Sequence, residues 1–233
     1  MEQGRHLAFS RSPQYARIMS QTSSSSPSLR IETLSGEALV PVLPALAHLR
    51  LSVFRTWPYL YDGDQAYEQR YLQTYVRSPG AGVVLAWDGA RAVGASTCLP
   101  MVEEEENVSE PFRKRGWDPA RFFYFGESVL LPEYRGCGVG VAFFREREAH
   151  AKRVSNCDYA TFCSVKRPEN HPSRPADWVP LHEFWTRRGF TPFPSLTCRM
   201  SWKDVGEAEE TEKELTFWIK SLSGTPLPEE NAI

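Results

Sequence analysis

Residues 121–154 place a nearly all-apolar run directly before three closely spaced glycines and a long helix-forming segment. The run RFFYFGESVLL is too apolar for a strand with one solvated face, so it predicts a strand buried in the middle of a sheet. Gly136, Gly138 and Gly140 follow in a tight turn, and VAFFREREAHAKRV predicts the helix after it. A central strand, a glycine turn and a helix therefore form the middle of the fold.

The segments on either side predict further strands and helices of one α/β domain. LRIETL alternates as a strand, GVVLAWDGARAVGASTCLPM predicts a hairpin around Asp88 and Gly89, and Asp64 is the natural N-cap of a second helix. A first helix is indicated by apolar residues at helical spacing: Leu39, Leu43, Leu46, Leu49 and Val53. With DYATFCSV, PLHEFWTRRGF, SLTCRMSW and ELTFWIK, the order becomes β-α-α-β-β-β-α-β-α-β-β, which predicts a mixed, largely antiparallel central sheet flanked by helices.

The two ends of the chain and one internal insertion have a different composition. Residues 1–28 contain QTSSSSPS, which can bury little, so we expect a disordered leader before a single domain at 29–222. Residues 223–233 read as a flexible tail. In the charged insertion VEEEENVSEPFRKRGWDPA, the acidic run predicts a solvated face rather than a binding site.

Composition excludes several classes of function. The net charge of -2 provides no basic surface, so nucleic acid is a poor candidate partner. No apolar run approaches the about 20 residues that span a bilayer, so we expect no membrane segment. The five cysteines form no C-x-x-C pair and no zinc spacing, which favours a reduced cytoplasmic protein without a metal site.

The glycine turn has the chemistry of an anion site. A dinucleotide fingerprint would need a third glycine at Val141, and a Walker A loop would need a lysine that is absent. Successive glycines before a helix let backbone N–H groups converge at the positive end of the helix dipole, where a pyrophosphate can bind. The alternative is a turn that only packs the helix tightly on the sheet, and the residues alone leave both open.

RGCGVG fits the (R/Q)-x-x-G-x-(G/A) signature of the GNAT N-acetyltransferases, and FWTRRGF resembles their second box. These motifs cover about 122–154 and 181–190. The resemblance implies a GNAT-like fold that binds acetyl-CoA in a cleft between two splayed strands, with the amide near Leu130 polarising the thioester carbonyl. It also implies cofactor contacts from the backbone of Val129, Leu130 and Leu131 to pantetheine, and from Arg135, Gly136, Cys137, Gly138, Val139, Gly140 and Val141 to pyrophosphate.

The implied reaction is direct attack by a primary amine of a small molecule on acetyl-CoA. A general base must remove a proton from the ammonium, and Glu127, in the apolar run, is the best candidate. An arginine partner or a place on the polar side of the sheet is the structural alternative. The family's usual tyrosine acid is replaced by Trp185, so Tyr134 is the expected acid, with Cys163, solvent and, more weakly, His171 left open.

The acceptor is expected to meet FRTWPYLYDGD and the tyrosine face of the second helix. Tyr59, Tyr61 and Asp62 are the candidate acceptor-binding residues, because aromatic rings and a carboxylate suit a cationic amine. The extra segment KRPENHPSRPADWVP could wall that pocket. The competing function is a non-catalytic acyl-CoA-binding regulatory domain, and a homodimer is left open.

Overall fold

The structure, a computed structural model, describes residues 29–230, so the predicted leader at 1–28 lies outside the described residues. Seven strands form one sheet in the order β1-β2-β3-β4-β5-β7-β6, and all neighbouring pairs are antiparallel except β4 and β5. The strands are β1 Leu29–Leu34, β2 Gly82–Asp88, β3 Arg91–Pro100, β4 Phe122–Leu130, β5 Tyr159–Val165, β6 Thr191–Lys203 and β7 Glu210–Ser221. The predicted mixed, largely antiparallel sheet is confirmed.

Helices cover both faces of this sheet. They are α1 Leu43–Phe54, α2 Gln65–Arg77, α3 Glu106–Lys114, α4 Val139–Val154 and α5 His182–Thr186. Apolar residues of α1, α2 and α3 pack into one core with one face of the sheet, and those of α4 pack into two smaller clusters on the other. The sheet is therefore the middle layer of three, which is why its central strand is apolar on both sides.

Strand β4 shows how the cleft opens. Phe122 and Tyr124 face the α1–α3 core, while Phe123 and Phe125 face the α4 side. The parallel pairing of β4 with β5 covers only three residue pairs, ending at Tyr124 opposite Thr161. The second half of β4 has no β5 partner, so a gap runs along it toward the glycine turn.

A β-bulge lies at the start of this gap. Ser96 pairs with Ser128 and Cys98 pairs with Phe125, so Thr97 of β3 lies opposite both Gly126 and Glu127 of β4. Such a two-to-one irregularity bends the strand and re-aims one side chain. Here it turns Glu127 toward the α1 and α2 side.

Most local predictions hold. Helix α2 begins after Asp64, whose Oδ1 accepts hydrogen bonds from the amides of Ala66 and Tyr67 at 2.9 Å each. The hairpin turns at Gly89, with φ +58°, and the short helix α5 is followed by Gly189, with φ +86°. Both glycines have the left-handed conformation that such turns require.

Two segments have packed residues that the sequence did not indicate. The charged insertion contains helix α3, whose Val108 and Phe112 are buried in the core. The tail is also held as far as the structure describes it: Tyr159 donates a hydrogen bond to the carbonyl of Pro226 at 2.8 Å, and Leu227 packs against the core. Both segments contain few apolar residues, but Val108 and Phe112 are buried and Leu227 is partly buried against the core.

Within the described residues, one helical segment, Gly36–Phe54, is long and apolar enough by composition alone to cross a membrane. It joins the turn before α1 to α1 itself, and its Leu39, Leu46 and Leu49 lie fully buried in the core of the domain.

Candidate active site

The glycine turn between β4 and α4 presents a run of free backbone donors. Gly136 and Gly138 have φ of +80° and +81°, a left-handed conformation that L side chains rarely adopt, and a Cβ on either would meet open space. Along 136–140, no amide has a hydrogen-bond acceptor within the described chain. Because α4 begins at Val139, its dipole adds positive charge to the same place. The turn has the features of an anion site.

The two explanations considered for this turn apply to different glycines. A Cβ on Gly140 would lie 3.2 Å from the ring of Phe184, so this glycine serves the close packing of α4 against α5. The amide of Val141 donates to the carbonyl of Gly138 at 3.1 Å, so the free donors end at Gly140. The prediction that the amide of Val141 is free for a phosphate is corrected.

Backbone groups of β4 that face the gap can be read from its ladder. The amide of Leu131 donates to the carbonyl of Val93 at 3.0 Å, and the carbonyl of Leu131 accepts from Tyr134. Since alternate residues of a strand face the same neighbour, Val129 also faces β3, whereas Leu130 faces the gap. Of the three residues expected to bind a pantetheine arm, only Leu130 has backbone groups turned toward the gap.

Glu127 lies buried where the bulge re-aims it. Its Oε1 lies 2.6 Å from Nη1 of Arg50, and its Oε2 accepts a hydrogen bond from the hydroxyl of Tyr75 at 3.2 Å. The Arg50 contact is an ion pair without the direction of a hydrogen bond, so Oε1 keeps unused acceptor capacity. The arginine partner that the sequence left open as an alternative is present.

Arg50 also holds a second carboxylate. Its Nε donates to Glu68 of α2, which is completely buried. Its guanidinium carbon lies 4.5 Å from the ring centre of Tyr71. One arginine and two carboxylates leave this cluster with a formal charge of -1, so it attracts a cation.

The three tyrosines of α2 lead from solvent to Glu127. Tyr67 is 48% exposed and Tyr75 is 1% exposed, with Tyr71 between them. The hydroxyl of Tyr71 lies 3.2 Å from that of Tyr75, which also accepts a hydrogen bond from Thr97 Oγ1 at 2.9 Å. Because Tyr75 donates to Glu127, Tyr71 must donate to Tyr75. The hydroxyls therefore form a directed chain that ends on the carboxylate.

The predicted acceptor residues have different environments. Burial raises the pKa of Tyr59, and its ring packs between Phe54 and Trp202. Tyr61, whose pKa is also raised by burial, forms a β-bridge with Asp204. Both rings pack against the core formed with α1, α2 and α3. This core lies on the same face of the sheet as Glu127.

Asp62, the third predicted acceptor residue, has two basic partners in the structure. Its carboxylate lies 2.6 Å from Arg55 and 2.8 Å from Lys203, and the hydrogen bond with Lys203 lowers the pKa of Asp62. An ammonium ligand at Asp62 would have to compete with these two side chains. Its role in the structure is to fix the turn after α1 to β6.

Arg167 also fixes the turn after α1. It donates to the carbonyls of Pro58 and Tyr59 at 2.8 and 2.6 Å and forms a two-point ion pair with Asp204. The segment after β5 also reaches Trp57, whose ring lies 5.0 Å from that of His171. The extra segment thus packs against the turn that carries Tyr59.

Glu104 belongs to the acidic run that is predicted to be solvated, yet its side chain is partly buried. Burial raises the pKa of Glu104 to about 7, with a contribution from the charge of Glu127. The signal that could have revealed it is the helix that follows: the buried Val108 and Phe112 fix the start of α3 over the sheet.

A family model described as the acetyltransferase (GNAT) family matches residues 46–190, more than half of the chain. The chain belongs to the GNAT acetyltransferase family. GNAT enzymes transfer an acetyl group from acetyl-CoA, so this chain is an acyltransferase that uses acetyl-CoA. A search of curated proteins finds no significant match.

Solved GNAT structures share the fold at low sequence identity. A ribosomal-protein-alanine N-acetyltransferase from Brucella melitensis is 16% identical with a TM-score of 0.53, covering 82% of this chain and 99% of that one. A GNAT-family protein from Desulfovibrio desulfuricans is 14% identical with a TM-score of 0.51, covering 84% and 99%. YncA from Salmonella typhimurium, solved with its cofactor acetyl-CoA, is 14% identical with a TM-score of 0.50, covering 86% and 98%.

Tyr134, the predicted general acid of this GNAT domain, lies away from Glu127. The hydroxyl of Tyr134 donates to Asp88 at 2.7 Å, and this hydrogen bond raises the pKa of Tyr134. Tyr134 packs with the cluster on the α4 side, away from Glu127, so the prediction that it protonates the leaving group is corrected. Trp185 is also packed away, its ring 5.0 Å from those of Phe162 and Trp218.

Cys163, the other side chain considered as an acid, lies on the same face as Glu127. Its Sγ is 3.1 Å from the hydroxyl of Tyr124, at the point where β4 and β5 part. Within residues 29–230, no group of three His, Cys, Asp or Glu side chains has the arrangement of a metal site.

Proposed function

We propose that the protein is an N-acetyltransferase that transfers the acetyl group of acetyl-CoA to a primary amine of a small molecule. Glu127 acts as general base in a direct attack. The observation that carries the proposal is the placement of a buried carboxylate, paired with Arg50, beside a gap in the sheet that leads to a turn of free amides. All five cysteines are free, which supports a reducing compartment such as the cytoplasm.

The cofactor side of the proposal assigns roles to the glycine turn and to β4. Bound acetyl-CoA supplies an activated acetyl thioester. The amides of 136–140 would hold its diphosphate, and the exposed side chain of Arg135 would add a charge-assisted contact. The backbone of Leu130 would bind the pantetheine arm, and an N–H at this part of β4 would polarise the thioester carbonyl.

The acceptor side requires removal of a proton. An alkyl ammonium has a pKa of about 10.4, so the amine must lose a proton before it attacks. Glu127 would take that proton on Oε1, which has unused acceptor capacity. The hydroxyls of Tyr75 and Tyr71 would hold Glu127 in position and connect it toward the exposed Tyr67. Solvent can protonate the leaving thiolate, whose pKa of about 8.5 requires little help.

The test is a thiol-release assay with acetyl-CoA across polyamines, amino acids, aminoglycosides and peptide N-termini. With an acceptor that works, Glu127→Gln should lower kcat by about 10²–10⁴-fold while the Kd for CoA stays unchanged. Glu68→Gln is the matched comparison, because it removes the other carboxylate of Arg50 without touching the tyrosine chain. It should cost stability with a much smaller loss of turnover.

Two results would contradict the proposal. Equal turnover by Glu127→Gln and the wild type would remove Glu127 from the base role. If CoA binds but no amine in the panel releases free thiol, the non-catalytic CoA-binding domain becomes the better description. That alternative draws support from the packed Trp185 at the usual acid position.

A further inference from the structure

The hydroxyl of Thr97 lies at the β-bulge and makes two hydrogen bonds there. Thr97 is fully buried in β3, opposite both Gly126 and Glu127 of β4. Its Oγ1 accepts a hydrogen bond from the backbone amide of Glu127 at 3.2 Å and donates its own proton to the hydroxyl of Tyr75 at 2.9 Å. Because a threonine hydroxyl carries a single proton, the direction of both bonds is fixed.

Tyr75 closes these bonds into a ring on Glu127. Tyr75 is 1% exposed, and its hydroxyl donates to Oε2 of Glu127 at 3.2 Å. The ring therefore runs from the amide of Glu127 through Thr97 and Tyr75 to the carboxylate of the same glutamate. Thr97 contacts the backbone of Glu127 directly and holds its side chain through Tyr75, so one hydroxyl fixes both.

Gly126 leaves the space that this ring occupies. A Cβ on Gly126 would lie 2.5 Å from Oγ1 of Thr97 and 2.8 Å from the hydroxyl oxygen of Tyr75. Both distances are well below the 3.5–4.0 Å of an ordinary non-bonded contact. Gly126 is not among the glycines with positive φ, so its backbone conformation does not explain the glycine. The close approach of the two hydroxyls does.

Arg147 holds the same bulge from the other face of the sheet. Its Nη1 donates to the carbonyl of Thr97 at 3.5 Å, and its Nε donates to the carbonyl of Phe143 in α4 at 3.3 Å. Arg147 is 2% exposed, and its guanidinium carbon lies 4.4 Å from the ring centre of Phe125. The backbone of Thr97 is thus fixed from the α4 side, while its hydroxyl acts on the α1 and α2 side.

We propose that Thr97 is a positioning residue of the acetyl transfer, which holds Glu127 so that Oε1 stays directed at the acceptor amine. This inference rests on the proposed function, because Thr97 acts through Glu127 as the general base. Thr97 itself exchanges no proton with the substrate. Its effect on rate comes from geometry, since a displacement of about 1 Å in a reacting group can slow a reaction about 10²-fold.

Three substitutions in β3 separate the hydroxyl from the packing of the strand. Thr97→Val keeps the shape of the side chain and removes both hydrogen bonds, and Thr97→Ser restores the hydroxyl. Ser96→Ala is the matched control, because Ser96 is the neighbouring buried hydroxyl and its Oγ has no hydrogen-bond partner within residues 29–230.

Kinetics with acetyl-CoA and an amine from the panel measure the effect. Thr97→Val should lower kcat by about tenfold or more, while the KM for the amine and the Kd for CoA stay within about twofold. Thr97→Ser and Ser96→Ala should keep kcat within about threefold of the wild type. Wild-type kcat in Thr97→Val, or a loss in Thr97→Val that Thr97→Ser does not restore, would overturn the inference.

A double-mutant cycle shows whether Thr97 acts through Glu127. In the Glu127→Gln background, Thr97→Val should change kcat by less than about twofold, because the carboxylate that it positions is already gone. Equal losses in both backgrounds would give Thr97 a general structural role and overturn the inference, while a slow Glu127→Gln would still support the proposed function. Wild-type turnover by Glu127→Gln is a different result, which removes the base role and the inference with it.

Crystal structures of the variants provide a readout that needs no acceptor. In Thr97→Val, the distance from the hydroxyl of Tyr75 to Oε2 of Glu127 should exceed about 3.5 Å, whereas Ser96→Ala should keep it near 3.2 Å. Gly126→Ala should open the same contact from the opposite strand, because the added Cβ displaces both hydroxyls. An unchanged contact in Thr97→Val would show that Thr97 does not position the carboxylate, and the inference would be overturned.

Discussion

Gly138 adopts a left-handed backbone conformation and leaves open space where a side chain would otherwise lie. Its φ of +81° favours glycine, and open space lies where a Cβ would be. Gly138→Ala should cost about 1–2 kcal/mol of stability through the left-handed conformation. It should also weaken CoA binding, because the added methyl group lies among the free amides. Chemical denaturation gives the stability, and calorimetry gives the CoA affinity.

Gly206 offers a matched control for this prediction. It lies in the turn between β6 and β7 with φ +90° and open space around it, remote from the glycine turn in sequence and in the sheet. Gly206→Ala should therefore cost similar stability with no change in CoA affinity. Equal CoA affinities for Gly138→Ala and the wild type would show that the amides of this turn do not hold the diphosphate.

The sequence indicates residue types at the site better than it indicates their partners. Glu127 is conspicuous in an apolar strand, but its ion pair joins it to Arg50, 77 positions earlier in the chain. Arg50 itself is the single arginine of the apolar helix α1, a signal that could have suggested a buried pair. The sequence does not show which of Asp62 and Glu104 has a basic partner. The partner of Asp62 is Lys203, far along the chain, and the surroundings of Glu104 depend on how the insertion folds.

At the scale of elements, α2 carries the tyrosine chain, and its N-cap should affect the site indirectly. Asp64→Ala removes the acceptor for two first-turn amides and should cost about 1 kcal/mol, with a range of 0.5–2 kcal/mol. Asp64→Asn keeps a capping oxygen and should cost much less. Urea denaturation of both variants checks this, and equal stabilities for Asp64→Ala and Asp64→Asn would contradict a capping role.

Helix α3, within the charged insertion, is not apparent from the sequence. Its apolar residues are few, since Val108 and Phe112 are its only buried apolar side chains in the described structure, and Pro111 lies within it. A short helix with two buried anchors among charged residues has little periodic signal. A contact with a distant strand also positions this helix: Asn107, near its start, donates a hydrogen bond to the carbonyl of Arg199 in β6.

At the scale of the whole molecule, the class of fold was predictable and the strand order was not. Alternation and turn residues indicate which segments are strands, and helices between them indicate a layered α/β domain. That β7 pairs between β5 and β6 depends on long-range pairing that no local pattern encodes. The gap beside β4 is also a property of the sheet, because β5 stops pairing with β4 after Thr161 while it stays paired with β7.

The buried carboxylate of Glu104 should affect the pH dependence of stability of the entire domain. Its pKa is raised from 4.5 to about 7, so the folded protein retains a proton that the unfolded chain has lost between these values. Its contribution to the free energy of unfolding is therefore fully present below pH 4.5 and is lost as the pH rises through 7. One pKa unit corresponds to about 1.4 kcal/mol, so the loss across this range is about 3 kcal/mol.

Glu104→Gln isolates this effect, because it has no proton to lose. Relative to the wild type, its free energy of unfolding should gain about 3 kcal/mol between pH 4.5 and pH 8, measured by urea denaturation without ligands. Carboxylates such as Asp62, whose pKa is lowered by Lys203 and Arg55, contribute in both proteins and cancel in the difference. Glu105→Gln should follow the wild-type pH profile. A constant difference between Glu104→Gln and the wild type across this range would mean that Glu104 ionises as freely in the folded protein as in the unfolded chain.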